Sequence, residues 1–537
     1  MSTTLFRPAV LGPVFAIISY VIYQILRSPR VKLPDLPVIG TKPGEWFPLQ
    51  RARWRNASNM AVATQQAYRQ YRNQAVIFPV AGDYDYVYLP LEELQWLLDL
   101  PDSSVSMHQR TMDVLQIQHT VMDPELVENP VHHNIVKGVM TRETGNLIPE
   151  LYDESQHAVS KFWGTEPGVA KEMPVYAAVQ QMVSRVTNRV FVGLPLCRDE
   201  VFLKTGIAYA MDVPISANIL KFIWEPLRPL AALVVALPNR IHTNRFIAML
   251  RPETERRIAM YDARKADPET KAADKPPNDL LQWCVNQAKA SGDWYLNRVY
   301  SLASRVLLLN FASIHTSSFA MTHAMFDLAA NDPAYIEELR HEIKTVLAEN
   351  DGVWDKRTLQ KMHKLDSTMR ESQRMNSIAT FATSRLVIDP KGITTPSGAH
   401  PPGTVVGGPS YPVFHDEAIY PDPHTFKPFR FAEMRQQQEE GSRAADGEKG
   451  GRLLLLLLRT MCSAWATTSP DFVAFGHGRY ACPGRFFAAA ELKLMLAYIV
   501  LHYDIEHLEQ RPSNSWFSAA RLPPMKESLK LTRRADV

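Results

Sequence analysis

Forty residues from Asp293 to Asp332 contain neither glycine nor proline, and Gly292 and Pro333 close the stretch at its two ends. Thirty of them in one helix would reach about 45 Å, so the body around it must be wide enough to cover it. Helical spacing recurs in Thr144 to Trp163, Val175 to Val192 and Arg240 to Lys265. Strand signals are few: Ala75 to Pro79, Tyr84 to Leu89 and Ser384 to Ile388. Proline, glycine and aspartate crowd residues 389–431, which predicts an irregular segment there. No repeat of 20 to 50 residues is visible. The pattern predicts a mainly α fold with a small β-sheet, in one large domain over residues 46–537.

Composition narrows the function. With 59 basic and 56 acidic residues among 537, the net charge of +3 gives no electrostatic reason to expect nucleic acid. The hydrophobic share of 46% excludes disorder for the chain as a whole. Four cysteines, Cys197, Cys284, Cys462 and Cys482, are too few for a disulfide scaffold, and no Cys-x-x-Cys pair suggests zinc. His341-Glu342 is followed by Thr345, not by the second histidine of a zinc hydrolase motif. The 39 prolines exceed the usual share and predict rigid, proline-punctuated connections.

Nineteen uncharged residues from Pro8 to Leu26 are followed by Arg27, Arg30 and Lys32. That length suits one membrane crossing, and the basic residues on its far side predict a cytoplasmic body. A cleaved signal peptide is the rival, but the basic cluster lies on the wrong side and no small-residue cleavage site follows. Residues 1–32 are therefore expected as a transmembrane anchor, and residues 33–45, with Pro34, Pro37 and Gly40, as a stiff elbow. Asn56-Ala57-Ser58 offers a check, because a lumenal body would be open to glycosylation there. Leu453 to Leu458 is too short a run to cross.

The segment most specific for chemistry runs from Phe475 to Ala488, where Gly476, Gly478 and Gly484 surround Cys482 ahead of an apolar helical run. Glycines let backbone approach a bulky group, and amides at a helix start point back toward the sulfur, which favours a thiolate. The other three cysteines are read as buried, inert thiols. This segment resembles the cytochrome P-450 superfamily of haem-thiolate monooxygenases, whose signature is Phe-x-x-Gly-x-Arg-x-Cys-x-Gly. Phe475, Gly478, Arg479, Cys482 and Gly484 are set against its fixed positions. The resemblance implies haem b, with Cys482 as axial ligand of the iron and Arg479 on a haem propionate. A thiolate ligand donates electron density that favours O–O cleavage.

Further motifs carry the same resemblance. Glu371-x-x-Arg374 and the Arg430 of Pro428-Phe429-Arg430-Phe431 resemble the family's buried charge network. Arg385 stands where the family has a second propionate-binding arginine, and His133 and Lys137 where many members have Trp-x-x-x-Arg. Ala312 to Ser317 resembles the oxygen-activation motif, with Thr316 as the proton-delivering hydroxyl, flanked by His315 and Ser317. Ser313 and His315 replace the usual glycine and acid, and a histidine is able to relay protons near neutral pH. The Ile314-His315-Thr316 run and Arg185 to Cys197 resemble the fungal branch containing ent-kaurene oxidases and other terpenoid oxidases.

The resemblance implies a monooxygenase using O2 and electrons from NADPH, delivered by NADPH-cytochrome P-450 reductase, with cytochrome b5 as an optional second donor. It is expected as a single-pass protein of the endoplasmic reticulum membrane, acting on a lipophilic terpenoid, a diterpene first. Expected pocket walls are Met107 to Met122, Ala210 to Leu237, Asn310 to Ala312, Ser377 to Thr383 and Ser515 to Phe517, with Ile219, Leu220, Phe222, Trp224, Phe311, Phe381 and Trp516 as their apolar members. Two alternatives stay open: a haem-thiolate isomerase or dehydratase needing no reductase, and a non-enzymatic haem sensor or carrier. Residues 433–469 are longer than this connection needs. They are expected as an insertion, with 440–465 an exposed loop or translated intron.

Overall fold

The computed structural model describes residues 34–81, 85–266, 275–444, 464–517 and 519–535. The uncharged run Pro8 to Leu26 and Cys462 lie outside them. Among the described residues no helix is long and apolar enough to cross a membrane. Seven helices frame the molecule: α1 (Ile148–Trp163), α2 (Val175–Phe191), α3 (Glu200–Phe222), α4 (Leu237–Ala266), α5 (Val299–Ala329), α6 (His363–Met375) and α7 (Arg485–His502). The Gly- and Pro-free stretch is α5, 31 residues long. It packs against α2, α3, α4, α6 and α7. Twenty of its positions, from Ser301 through Ala329, are buried, which explains why it lacks one polar face.

A five-stranded sheet stands beside the helices, built from β1 (Val76–Pro79), β2 (Asp85–Tyr88), β3 (Val105–Ser106), β4 (Phe381–Val387) and β5 (Val405–Pro409) in the spatial order β1-β2-β5-β4-β3. Only β2 and β5 run parallel. Three smaller sheets complete the strand content among the described residues. The predicted irregular segment therefore holds real strands: β5 and the hairpin Ile393–Thr395 with Gly398–His400. Their pairing partners are distant in sequence or very short, so local turn chemistry outweighs the strand signal.

The elbow is part of the sheet edge. Ile39 N–H donates to the Ile77 carbonyl at 2.9 Å, and Ile77 N–H to that of Pro37 at 2.8 Å. Gly40 makes the turn at φ +86°, where a Cβ would lie 2.4 Å from Asn56 Oδ1. Asn56 itself is buried, and its amide donates to the carbonyls of Ile39 (3.1 Å) and Pro79 (2.9 Å). A sugar on the Asn56 amide would cost both bonds, so the folded body is built for an unmodified Asn56.

Two further expectations change. Pro214 and Pro252 lie inside α3 and α4, so prolines bend helices here as well as punctuating connections. The expected insertion at 433–469 is narrower than its limits. Residues Arg430–Ala444 form a helix. Trp465 is fully buried, with its indole N–H on Gln373 Oε1 at 2.5 Å. The remainder, 445–463, lies outside the described residues.

Candidate functional site

A buried carboxylate organises the floor of the site. Glu371 and Arg374, three apart on α6, pair through Nε–Oε2 and Nη2–Oε1 bonds of 2.8 Å each, and both side chains are fully buried. Arg430 joins them, with Nε 3.0 and 3.1 Å from the two carboxylate oxygens. The arginines then reach outward to main-chain oxygens of the turn-rich segment. Arg374 donates to the carbonyls of Phe414 and Pro423, and Arg430 to those of Pro421 and Asp422. Carbonyls without ladder partners need donors when buried, and two guanidiniums supply them.

The segment these arginines hold meets the approach to the cysteine loop, where the Tyr420 hydroxyl donates to the Asp471 carbonyl at 2.9 Å and the Phe414 and Phe472 ring centres are 5.4 Å apart. Gly476 and Gly478 adopt φ of +69° and +71°, which turns the chain so that Cys482 N–H donates to the Phe475 carbonyl at 2.7 Å. The backbone amides of Gly484 and Arg485, at the start of α7, act on Cys482 in the direction of the thiolate. Its side chain is exposed on one side and crowded on the others. Crowding raises the thiol, and the two amides and the Arg485 charge pull the other way. Cys197 and Cys284 are buried, and burial pushes each up to about 12, which fits inert thiols.

Close to this loop, a hollow of about 350 Å³ is lined by Met107, Arg110, Val114, Arg385, Gly476 and Tyr480, with Thr383 and Ser384 also on its wall. Successive residues of a regular strand face opposite sides. Here Thr383, Ser384 and Arg385 face one hollow because the β4–β5 register shifts between Ala382 and Arg385, with Thr383 at φ +55°. The bulge thus aims a buried guanidinium inward. Arg385 is 2% exposed, donates to the Ser384 carbonyl at 3.1 Å and lies 4.9 Å from the centre of the Tyr480 ring. Burial lowers it to about 10. It forms no ion pair among the described residues, and an anionic ligand group in the hollow would complete it.

Arg479 is placed differently from expectation. Counting back from Cys482, the signature arginine falls at Tyr480, one residue later. Arg479 is 46% exposed, donates to the Leu100 carbonyl and lies 3.7 Å from Asp102. Tyr480 lines the hollow instead. Arg110, which donates to the Tyr86 hydroxyl from the helix Met107–Leu115, is a wall cation that motif matching missed. His133 is half-buried beside the exposed Lys137, and burial first and then the Lys137 charge lower it.

On α5, Thr316 and Ala312 are one turn apart and exposed although the helix is otherwise enclosed. Thr316 Oγ1 donates back to the carbonyls of Ala312 (3.0 Å) and Ser313 (3.1 Å). Its lone pairs stay available on the open side. His315 turns toward α2, with Nδ1 2.8 Å from the Tyr176 hydroxyl and 3.2 Å from Gln180 Nε2. Ser317 is buried. Two expected pocket residues belong to the core: Phe381 stacks on Tyr86 at 4.6 Å inside the sheet cluster, and Leu220 is fully buried. Ile219, Phe222, Trp224 and Phe517 are exposed.

The donor set favours a metal that arrives with its own ligands. Among the described residues no group of three His, Cys, Asp or Glu side chains could hold an ion. A single cysteine at a helix start, a buried cation facing a hollow and a glycine-framed approach fit an anionic, planar, metal-carrying cofactor such as haem.

Comparison with known proteins gives the same direction. The Cytochrome P450 family model matches residues 131–531. The chain is 31% identical over 504 residues to cytochrome P450 monooxygenase gloP of Glarea lozoyensis, covering 91% of this chain and 89% of that protein. It is 32% identical over 494 residues to cytochrome P450 monooxygenase 71 of Postia placenta, with 90% of each covered. Among solved structures, a retinoic acid-bound cyanobacterial CYP120A1 superposes with a TM-score of 0.64 at 17% identity, covering 94% of this chain and all of that one.

Two expected outcomes follow from the buried acids. Glu371→Ala leaves two buried guanidiniums uncompensated and should destabilise the protein by about 3–5 kcal/mol in denaturant unfolding. Glu491, fully buried on α7 with Thr187 Oγ1 donating to it at 2.6 Å, is raised by burial to about 8. Unfolded, it releases its proton near 4.5. Between those values the folded state holds a proton that the unfolded state lacks, so stability falls as pH rises from 4.5 to 8 and then levels. Glu491→Gln should remove that decline, measured as midpoint against pH. A lone acid in the apolar run Phe486 to Leu501 was its sequence signal.

Proposed function

Since the chain belongs to the cytochrome P450 family and is an oxidoreductase, we propose that it is a membrane-anchored haem-thiolate monooxygenase that hydroxylates a lipophilic secondary metabolite, a diterpenoid first. The observation that carries the reading is Cys482, presented at the start of α7 by a glycine-framed loop that leaves one side of it open. When bound, the haem supplies dioxygen activation through its thiolate-ligated iron.

The chain's own residues do the rest. Cys482 would hold the iron, Arg385 one propionate, and Arg110 or the His133–Lys137 pair the other. Phe475 and the three glycines set the height of the sulfur. Thr316 directs its hydrogen to its own helix and presents lone pairs to the open side, where a water can be held for proton delivery. The Glu371–Arg374–Arg430 network keeps the segment from Phe414 to Pro423 rigid. Electrons would come from NADPH through a cytochrome P-450 reductase, with cytochrome b5 as a second donor. The uncharged run Pro8 to Leu26 with its basic flank supports a single-pass anchor in the endoplasmic reticulum membrane, with the body on the cytoplasmic side. The apolar members of the Ala210 to Leu237 segment support a lipophilic substrate.

The reduced, carbon monoxide-bound protein should absorb at the thiolate-haem position, and Cys482→Ala should abolish that band; an unchanged spectrum would falsify the ligand assignment. Thr316→Ala should keep NADPH consumption and lose most product. A fully coupled variant would remove the threonine from proton delivery. Co-expression with a reductase and a panel of cyclic di-, sesqui- and triterpenes, read by mass gain, tests the substrate class. Mass gain without NADPH would favour the isomerase or dehydratase reading.

A further inference from the structure

Adjacent positions on a helix point about 100° apart. Thr316 therefore faces the open side of α5 while His315 faces α2, and the histidine meets a closed triangle of contacts. The Tyr176 hydroxyl is 2.8 Å from His315 Nδ1, Gln180 Nε2 is 3.2 Å from the same nitrogen, and Gln180 Nε2 is 3.1 Å from the Tyr176 hydroxyl. Tyr176 is buried, and burial raises its hydroxyl, so it serves as a neutral donor. Nδ1 is thus the acceptor of the cluster.

The other ring nitrogen does not support a relay. Nε2 is buried and has no partner among the described residues. A relay must take a proton on one nitrogen and release it from the other. Here one nitrogen is enclosed, and the other faces only Tyr176 and Gln180. Among the described residues the contacts of the ring include those two from α2 and Phe319 from α5, with ring centres 6.2 Å apart. No charged side chain contributes to its titration, and burial alone lowers it to about 4.

We propose that Tyr176 and Gln180, acting through a neutral His315, are positioning residues that fix the turn of α5 presenting Thr316, and that the proton path to Thr316 bypasses the histidine. This corrects the expectation that His315 replaces the family's acid as a relay. It rests on the monooxygenase reading for its consequence in turnover, but not for its geometry.

The test uses the full-length holoprotein, reduced and carbon monoxide-bound so that it is diamagnetic, with histidine ring nitrogens labelled. His315 should show one protonated and one bare nitrogen, assigned by its loss in His315→Gln, unchanged between about pH 5.5 and about pH 8. Gln180→Glu places a carboxylate beside Nδ1 and should bring its titration into that window. In turnover, His315→Gln keeps an acceptor for Tyr176, and product per NADPH should stay within about twofold. Tyr176→Phe with Gln180→Leu removes both donors and should lower it about fivefold or more, with KM little changed. The proposal is overturned by a His315 that titrates near neutral pH in the unmodified protein, by a Gln180→Glu variant with unmoved shifts, or by a His315→Gln that uncouples as fully as Thr316→Ala. The nitrogen shifts need no substrate, so they stay decisive if no terpenoid is oxidised.

Discussion

The carboxylate of Glu371 is the constraint on which the site rests. It is fully buried and holds Arg374 and Arg430 at once. Exposed, an i,i+3 pair of this kind contributes a few tenths of a kcal/mol. Buried, its value lies in what its arginines do with their remaining hydrogens, which is to hold carbonyls on a segment that lacks regular ladders. Without the acid, two enclosed positive charges would repel each other and release that segment.

A second set of polar contacts runs along α2 through an otherwise apolar interior. Tyr176 and Gln180 meet His315, Thr187 meets Glu491, and Asn188 exchanges amide bonds with Asn310 at 2.7 and 3.2 Å. These tie α2 to α5, which carries Thr316, and to α7, which begins just after Cys482. Apolar packing alone tolerates a helix sliding or rotating by a fraction of a turn. Directional bonds at three levels do not, so Thr316 and Cys482 share one frame.

How much of this was legible depended on the range of the interaction. The long helix, the cysteine loop and the Glu371-x-x-Arg374 pair are local patterns, and the chain spells them out. The rotation of α5 is not local. Whether His315 or Thr316 faces the open side is decided by which helix packs where, and adjacent letters carry no sign of it. The aim of Arg385 depends on a bulge at Thr383, a β-branched residue that gives no hint of a positive φ. Phe381 reads as a pocket aromatic until the sheet closes around it. Trp465 reads as part of an insertion, yet its indole bonds a helix ninety-two positions earlier in the chain.

The irregular segments ahead of the cysteine loop are fastened in one manner, by arginine side chains gripping peptide oxygens. Arg374 and Arg430 hold the segment from Phe414 to Pro423. Arg370 holds the carbonyls of Ala464 and Thr467, and Arg485 those of Ala466 and Cys482. A peptide oxygen is the same whatever residue bears it. The grip on these segments therefore depends on the four guanidiniums and not on which side chain each gripped residue carries.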